Sequence, residues 1–287
     1  MKKLRSLLLA AAALATLAVT GSVMSSRHAL AQNPNPGSAF TVNSTADVVD
    51  ARPGDGTCAT ATGACTLRAA IQEANSLAGS DTIILPAGTY TLTITGRGET
   101  AAATGDLDIT DSLTIRGAGA ATTIVQACAP VPVTAPCSGI DCVFHVDPNT
   151  AGISVMFSVM TIQNGSAVGL PFMSGSGGAF LLGSGGIGAT PASGRLTLTD
   201  CVVANNSTAG NSTARDGGGL YNKGGSLMLI RTNVIANSAS NCGGIGNEAG
   251  ILSLTDSTVS LNAAAQGGRI FSGEGATLGH LNYRGAS

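Results

Sequence analysis

The sequence predicts an all-β chain wound as a solenoid of stacked short strands, and three observations predict it. The first is an internal repeat. Residues 227–237 (LMLIRTNVIAN) and 252–262 (LSLTDSTVSLN) superpose without a gap at a 25-residue spacing, Leu227 over Leu252, Leu229 over Leu254, Val234 over Val259 and Asn237 over Asn262. A fixed period of this length marks repeats that bury their apolar faces only by stacking on one another. The second is punctuation: a glycine-rich turn precedes each segment, GGGLYNKGG at 217–225 and CGGIGNEAG at 242–250. The third is composition. With 40 glycines, no tryptophan and 3% aromatic residues, the core must be filled by small β-branched residues and leucine, which suits thin layers of short strands.

The first 31 residues read as an export signal. Lys2, Lys3 and Arg5 precede an apolar run from Leu7 to Val19, and Ala29-Leu30-Ala31 supplies the small-x-small cleavage pattern. The run is short for a membrane span, so removal is expected and no span is expected in the mature chain. Removal takes four of the 14 basic residues and none of the 16 acidic ones, leaving a net charge of −6. Lys223 is then the remaining lysine. Such a surface lacks the clustered positive charge that phosphate contacts need, which argues against a nucleic-acid partner. It suits an extracellular or cell-surface protein. All seven cysteines follow the signal, so disulfides are expected in that compartment, with at least one cysteine left free or paired between chains.

Residues 32–80 form an N-terminal segment and residues 81–287 the solenoid. A polar spacer leads to a first strand at AFTVN (39–43) and a loop rich in Asp and Gly. In the stretch 65–75, CTLRAAIQEAN, Leu67, Ala70, Ile71 and Ala74 fall on one helical face. Thr66 is the expected N-cap and Gly79 the expected stop. Cys58 and Cys65 are placed to close a short loop that pins the helix start. A solenoid's first layer exposes apolar surface and strand edges, so a short amphipathic helix there is expected to act as its cap.

CTLRAAIQEAN resembles the CSLREA motif found after the signal peptide of many exported bacterial proteins, with Thr66 in place of Ser and Ala69 in place of Glu. DTIILPAGTYTLT (81–93), ATGDLDITDSLTIRGAGAATTI (103–124) and VFHV (143–146) also look like that family, so the resemblance covers nearly all the mature chain. It implies a right-handed parallel β-helix, similar to the pectin-lyase-like fold, with the motif near its start. It implies no established activity.

Further along, residues 82–93 read as strand, corner and strand around Pro86-Ala87-Gly88. Residues 107–115 alternate so that Leu107, Ile109, Leu113 and Ile115 turn inward if Asp111 sits at a bend. Gly117-Ala118-Gly119 is a turn, because a lone G-x-G without its strand-helix setting does not make a phosphate loop. Residues 128–142 carry three cysteines and read as a loop on the side of the solenoid. No histidine lies at zinc-finger spacing from them, and His145 reads as a lone strand residue in an apolar segment. Residues 166–194 form a Gly- and Ser-rich insertion of the kind that leaves a solenoid on one side. The segment LTLTDCVVANN (196–206) is the next repeat, 31 residues ahead of Leu227. After Gly267-Gly268 the repeat decays, with Arg269 in the column of Leu220 and Ile245. That reading predicts a shortened chain, or one that associates end to end with another copy.

Asn206, Asn237 and Asn262 share one column. Stacked asparagines form hydrogen-bonded ladders, and Asn tolerates the left-handed backbone of a sharp corner. Asn206-Ser207-Thr208 and Asn211-Ser212-Thr213 also match the glycan-acceptor pattern, and a ligand-binding row is the other functional reading. The glycine doublets at 218–219, 243–244 and 267–268 read as turns packed too closely for a Cβ.

Two function classes follow. One is a non-catalytic exported β-helix, a structural or adhesive module whose partner is an extracellular glycan or cell-surface component. The other is a polysaccharide lyase or glycoside hydrolase acting on acidic polysaccharide. It requires converging carboxylates, with calcium as the cofactor of the lyase type. Asp200, Asp216, Glu248, Asp256 and Glu274 are the carboxylates of the repeat region. Asp200 and Asp256 share a column with Arg231 between them, and Asp216 lies on a nearby loop. A solvated stripe of alternating charge is the preferred reading of that column. No cofactor is expected for the non-catalytic class.

Overall fold

The computed structural model describes residues 37–127, 140, 142–148, 152–168, 178–183, 194–209, 217–264, 268–273 and 275–284. The expected export signal (residues 1–31), Cys128, Cys137, Asn211, Asp216, Gly267, Glu274 and most of the expected 166–194 insertion lie outside them.

The chain is mostly β and its strands pair in parallel. They stack on four faces that recur in the same order along the chain, the third of them from residue 166 onward among the described residues. The first face stacks Ala39–Thr41, Asp81–Leu85, Leu113–Gly117, Ser154–Ser158, Arg195–Thr199, Ser226–Ile230 and residues 251–255. The second stacks Gly88–Thr91, Thr123–Gln126, Thr161–Gln163, Val202–Ala204, Asn233–Ile235 and residues 258–260. These two faces join as one bent sheet through the long strand Ile251–Ser260. The third stacks Ser166–Val168, Ser207–Ala209, Ser238–Ala239 and Ala263–Ala264. The fourth stacks Leu107–Ile109, Phe144–Val146, Phe180–Leu182, Leu220–Lys223, Ile245–Glu248 and Ile270–Ser272.

The repeat read from sequence is the register of the stack: Leu227 pairs with Leu252, Leu229 with Leu254 and Val234 with Val259. Leu196, 31 positions earlier, pairs with Leu227. One expectation shifts by a residue at the C-terminal end. Ile270, not Arg269, continues the column of Leu220 and Ile245. The repeat does not stop there, because Thr277–Arg284 pairs with Ile251–Ser260, with two register shifts.

Side chains alternate across each strand, so every second residue turns into one continuous apolar core. In it Phe144 stacks on Phe180, and Phe157 meets both edge-on with ring centroids 4.7 and 4.9 Å away. The corners use left-handed backbone. Val159, Asp200, Arg231 and Asp256 form one such column, all with φ between 46° and 59°. Asn164, Asn205, Ala236 and Leu261 form another, with φ between 54° and 56°. The left-handed residue is therefore the one before each ladder asparagine, and the asparagine's side chain is freed to point inward. The doublets are as crowded as expected at Gly218 and Gly243. A Cβ would sit 2.3 Å from the Gly243 oxygen in one case and 2.4 Å from the Ala263 oxygen in the other. Gly268 has room, its nearest contact being 3.4 Å away.

Helix α1, Leu67–Ser76, is N-capped by Thr66, whose hydroxyl accepts from the Ala69 amide. It ends two residues short of Gly79, at its C-cap Leu77, whose amide donates to the Ala74 carbonyl. Leu67, Ala70, Ile71 and Ala74 join the core shared with the first repeats. Glu73, fully buried, accepts from the amides of Gly54 and Gly56, and Gln72 accepts from the Asp50 amide. These contacts clamp the Asp- and Gly-rich loop onto the helix, and a Cys58–Cys65 disulfide closes it. With a sequence separation of 7, reduction is expected to cost about 2–3 kcal/mol of stability. Denaturant titrations with and without reductant measure it. An unchanged midpoint would show that the side-chain clamps alone hold the loop.

Candidate functional site

The Asp200–Arg231–Asp256 column lies on the left-handed corner between the first and second faces, and all three side chains are exposed. Arg231 grips Asp200 with two parallel bonds, Nε to Oδ1 at 2.7 Å and Nη2 to Oδ2 at 2.8 Å. That pairing holds the Asp200 carboxyl below its ordinary range. A carboxylate committed to a guanidinium is a poor general base, and the Asp200 carboxylate is the partner of Arg231 rather than of another acid. Asp216 lies outside the described residues.

The asparagine column is wholly internal in its chemistry. Asn206 Nδ2 donates to Asn237 Oδ1 at 2.9 Å, and Asn237 Nδ2 donates to Asn262 Oδ1 at 3.0 Å. The same oxygens accept the backbone amides of Asn206 and Asn237. The remaining amide protons go to the carbonyls of Ile162, Val203 and Val234. Asn206 and Asn237 are buried, so these two rungs have no free face for a ligand or a glycan. Sequence reading missed a second ladder at Asn222 and Asn247, joined Nδ2 to Oδ1 at 2.8 Å. Its signal was present, since the two asparagines sit 25 residues apart in the two glycine-rich turns.

The gathering of ligand-type side chains lies elsewhere. Among the described residues, Asp106, Asp108 and His145 bring one ligand atom each to within 4.8 Å of one another, and all three residues are buried. The fourth face builds this. Asp108 and His145 are directly paired on adjacent strands, between inward-turned Leu107 and Ile109 and inward-turned Phe144 and Val146. His145 is therefore not a lone strand residue. Its Nδ1 lies 3.2 Å from Asp108 Oδ1, and its Nε2 lies 2.9 Å from the Gly183 carbonyl. Asp108 Oδ2 accepts the Ala102 amide, while Oδ1 has no aligned hydrogen bond. Cys142 Sγ lies 3.1 Å from Asp106 Oδ2.

Burial pushes the Asp108 carboxyl up, partly offset by His145. For His145, burial alone would lower it, but the Asp108 contact and the charges of Asp106 and Asp108 outweigh that and push it up. The buried thiols are poor nucleophiles by comparison: burial pushes Cys201 up to about 11 and Cys242 upward as well. Among the described residues no helix is long and apolar enough to cross a membrane. No family model, curated protein or solved structure matches the chain.

Proposed function

We propose that this chain is an exported, non-catalytic right-handed parallel β-helix, capped by α1, that serves outside the cell as a structural or adhesive module. The export signal and the likeness of CTLRAA to the CSLREA motif support that setting. The observation that carries the reading is where the repeated polar residues go. The asparagines that recur with the repeat are consumed in ladders that hold one repeat to the next. The exposed carboxylate of Asp200 is consumed by Arg231. What recurs in this chain is thus used for stacking, and the outer surface is left to long, regular faces that suit an extracellular glycan or a cell-surface component.

A uronan-cleavage assay with and without calcium, following unsaturated product by ultraviolet absorbance, tests it. Protein that is folded and β-rich by circular dichroism is expected to release no product. Calcium-dependent product that disappears in Asp200→Ala or Asp256→Ala would overturn the proposal and make the chain a polysaccharide lyase acting through the charged corner.

A further inference from the structure

The fourth face carries a polar cluster that the stacking does not require. The ladders bury neutral amide groups, whereas Asp106, Asp108 and His145 concentrate two carboxylates and an imidazole where water has little access. Such a group is costly unless its charge is compensated.

The tautomer of His145 is the telling feature. A carbonyl oxygen only accepts, so the ring nitrogen facing Gly183, Nε2, carries a proton. A neutral imidazole then presents the Nδ1 lone pair to Asp108 Oδ1, which is fully buried and lacks an aligned donor. Two lone pairs 3.2 Å apart repel unless something positive lies between them. A divalent ion held between them would accept both lone pairs.

We propose that Asp106, Asp108 and His145 form a binding site for one divalent transition-metal ion, with zinc as the first choice. The donor set supports this. Imidazole nitrogen with carboxylate oxygens suits zinc, and three protein ligands are a common zinc complement. Calcium asks for six to eight oxygens, and a site with an imidazole is a poor match for it. Donors around a tetrahedral ion stand roughly 3.3–3.6 Å apart when each bond is about 2.1 Å. The three donor atoms lie within 4.8 Å of one another, so an ion would draw them closer together.

The surroundings orient the ligands as outer groups do in metal sites. Gly183 holds the far nitrogen of His145, Ala102 holds Oδ2 of Asp108, and Cys142 Sγ sits against Oδ2 of Asp106. The main-chain oxygens of Asp106 and Asp108 are pinned by Arg68 and Asn75 from α1. An ion here would staple the helix-bearing first repeat to the second through His145 and to the third through Gly183. The inference does not depend on whether the chain is catalytic.

The test uses the full chain, stripped with a chelator and refilled. Zinc bound per chain is measured by equilibrium dialysis with elemental analysis, and the thermal midpoint by circular dichroism. The expected result is one zinc per chain with a dissociation constant of about 1 µM or tighter, and a midpoint that rises with free zinc. Asp108→Asn and His145→Gln, both close in shape, are expected to weaken binding at least about tenfold. Asp55→Asn, in the exposed loop before α1, is expected to bind as the parent does. Folded parent protein that takes up no zinc would overturn the proposal even if the variants fail to fold. Uptake that survives both cluster substitutions would overturn it as well.

Discussion

Arg68→Met is expected to destabilise the protein by about 3–5 kcal/mol, the usual cost of stranding one partner of a buried ion pair. Arg68 is among the largest fully buried side chains in the molecule. All five of its N–H donors are used. Nε and Nη2 bind Asp47 at 2.6 and 3.2 Å, Nη1 binds the carbonyls of Ala102 and Asp106, and Nη2 binds that of Gly105. Asp47 in turn accepts the amides of Thr93 and Ile94. One guanidinium thus ties α1 to the N-terminal loop and to the segment entering the fourth face. The physical need for arginine in the CTLRAA stretch follows: a lysine has three donors on a point charge and cannot serve five acceptors in a fork. Arg68→Lys is accordingly expected to fall well short of wild type. Chemical denaturation read by circular dichroism measures both. A loss under about 1 kcal/mol for Arg68→Met would mean that the pair behaves as if solvent-exposed, contrary to its burial.

The second large effect is expected at the middle rung of the asparagine ladder. Asn237→Ala removes an oxygen that accepts from the amide and side chain of Asn206. It also removes a nitrogen that donates to Val203 and Asn262. Each buried group left without a partner costs about 1–3 kcal/mol, and some relax onto other partners, so a total of about 2–4 kcal/mol is expected. Asn262→Ala should cost less, because Asn262 is only half-buried and, among the described residues, no further asparagine continues the ladder beyond it. Asn237→Asp separates the two halves of the effect. It keeps the acceptor, loses the donors and places a carboxylate against the Asn262 oxygen, so it should be no better than alanine. Repeat stacks do not always unfold in one step, so amide exchange at residues 202–209 and 233–239 is the sharper readout. If Asn262→Ala proves the more damaging of the two, the ladder is not the element that holds the repeats in register.

The sequence alone was enough for whatever repeats with a constant offset. The 25-residue match placed Leu227 on Leu252 and Val234 on Val259, because residues in the same phase of a stack face the same core layer. The helix, its Thr66 cap and the closure of Cys58 on Cys65 were equally legible, since all depend on neighbours within a few turns of chain. Tertiary structure decided what depends on a variable offset. Stacked partners on the first face lie 32 positions apart at Asp81 and Leu113, 42 at Leu113 and Val155, 41 at Val155 and Leu196, and 31 at Leu196 and Leu227. The segments between them differ in length, so no period points from Asp108 to His145 or from Arg68 to Asp47. Asp108 and His145 each look unremarkable in an apolar strand, and they meet only because parallel pairing sets one directly beside the other. The corner columns teach the same lesson at smaller scale. Which residue takes the left-handed backbone, Asn205 or Asn206, depends on which side chain the ladder draws inward, and that choice belongs to the stack rather than to either residue.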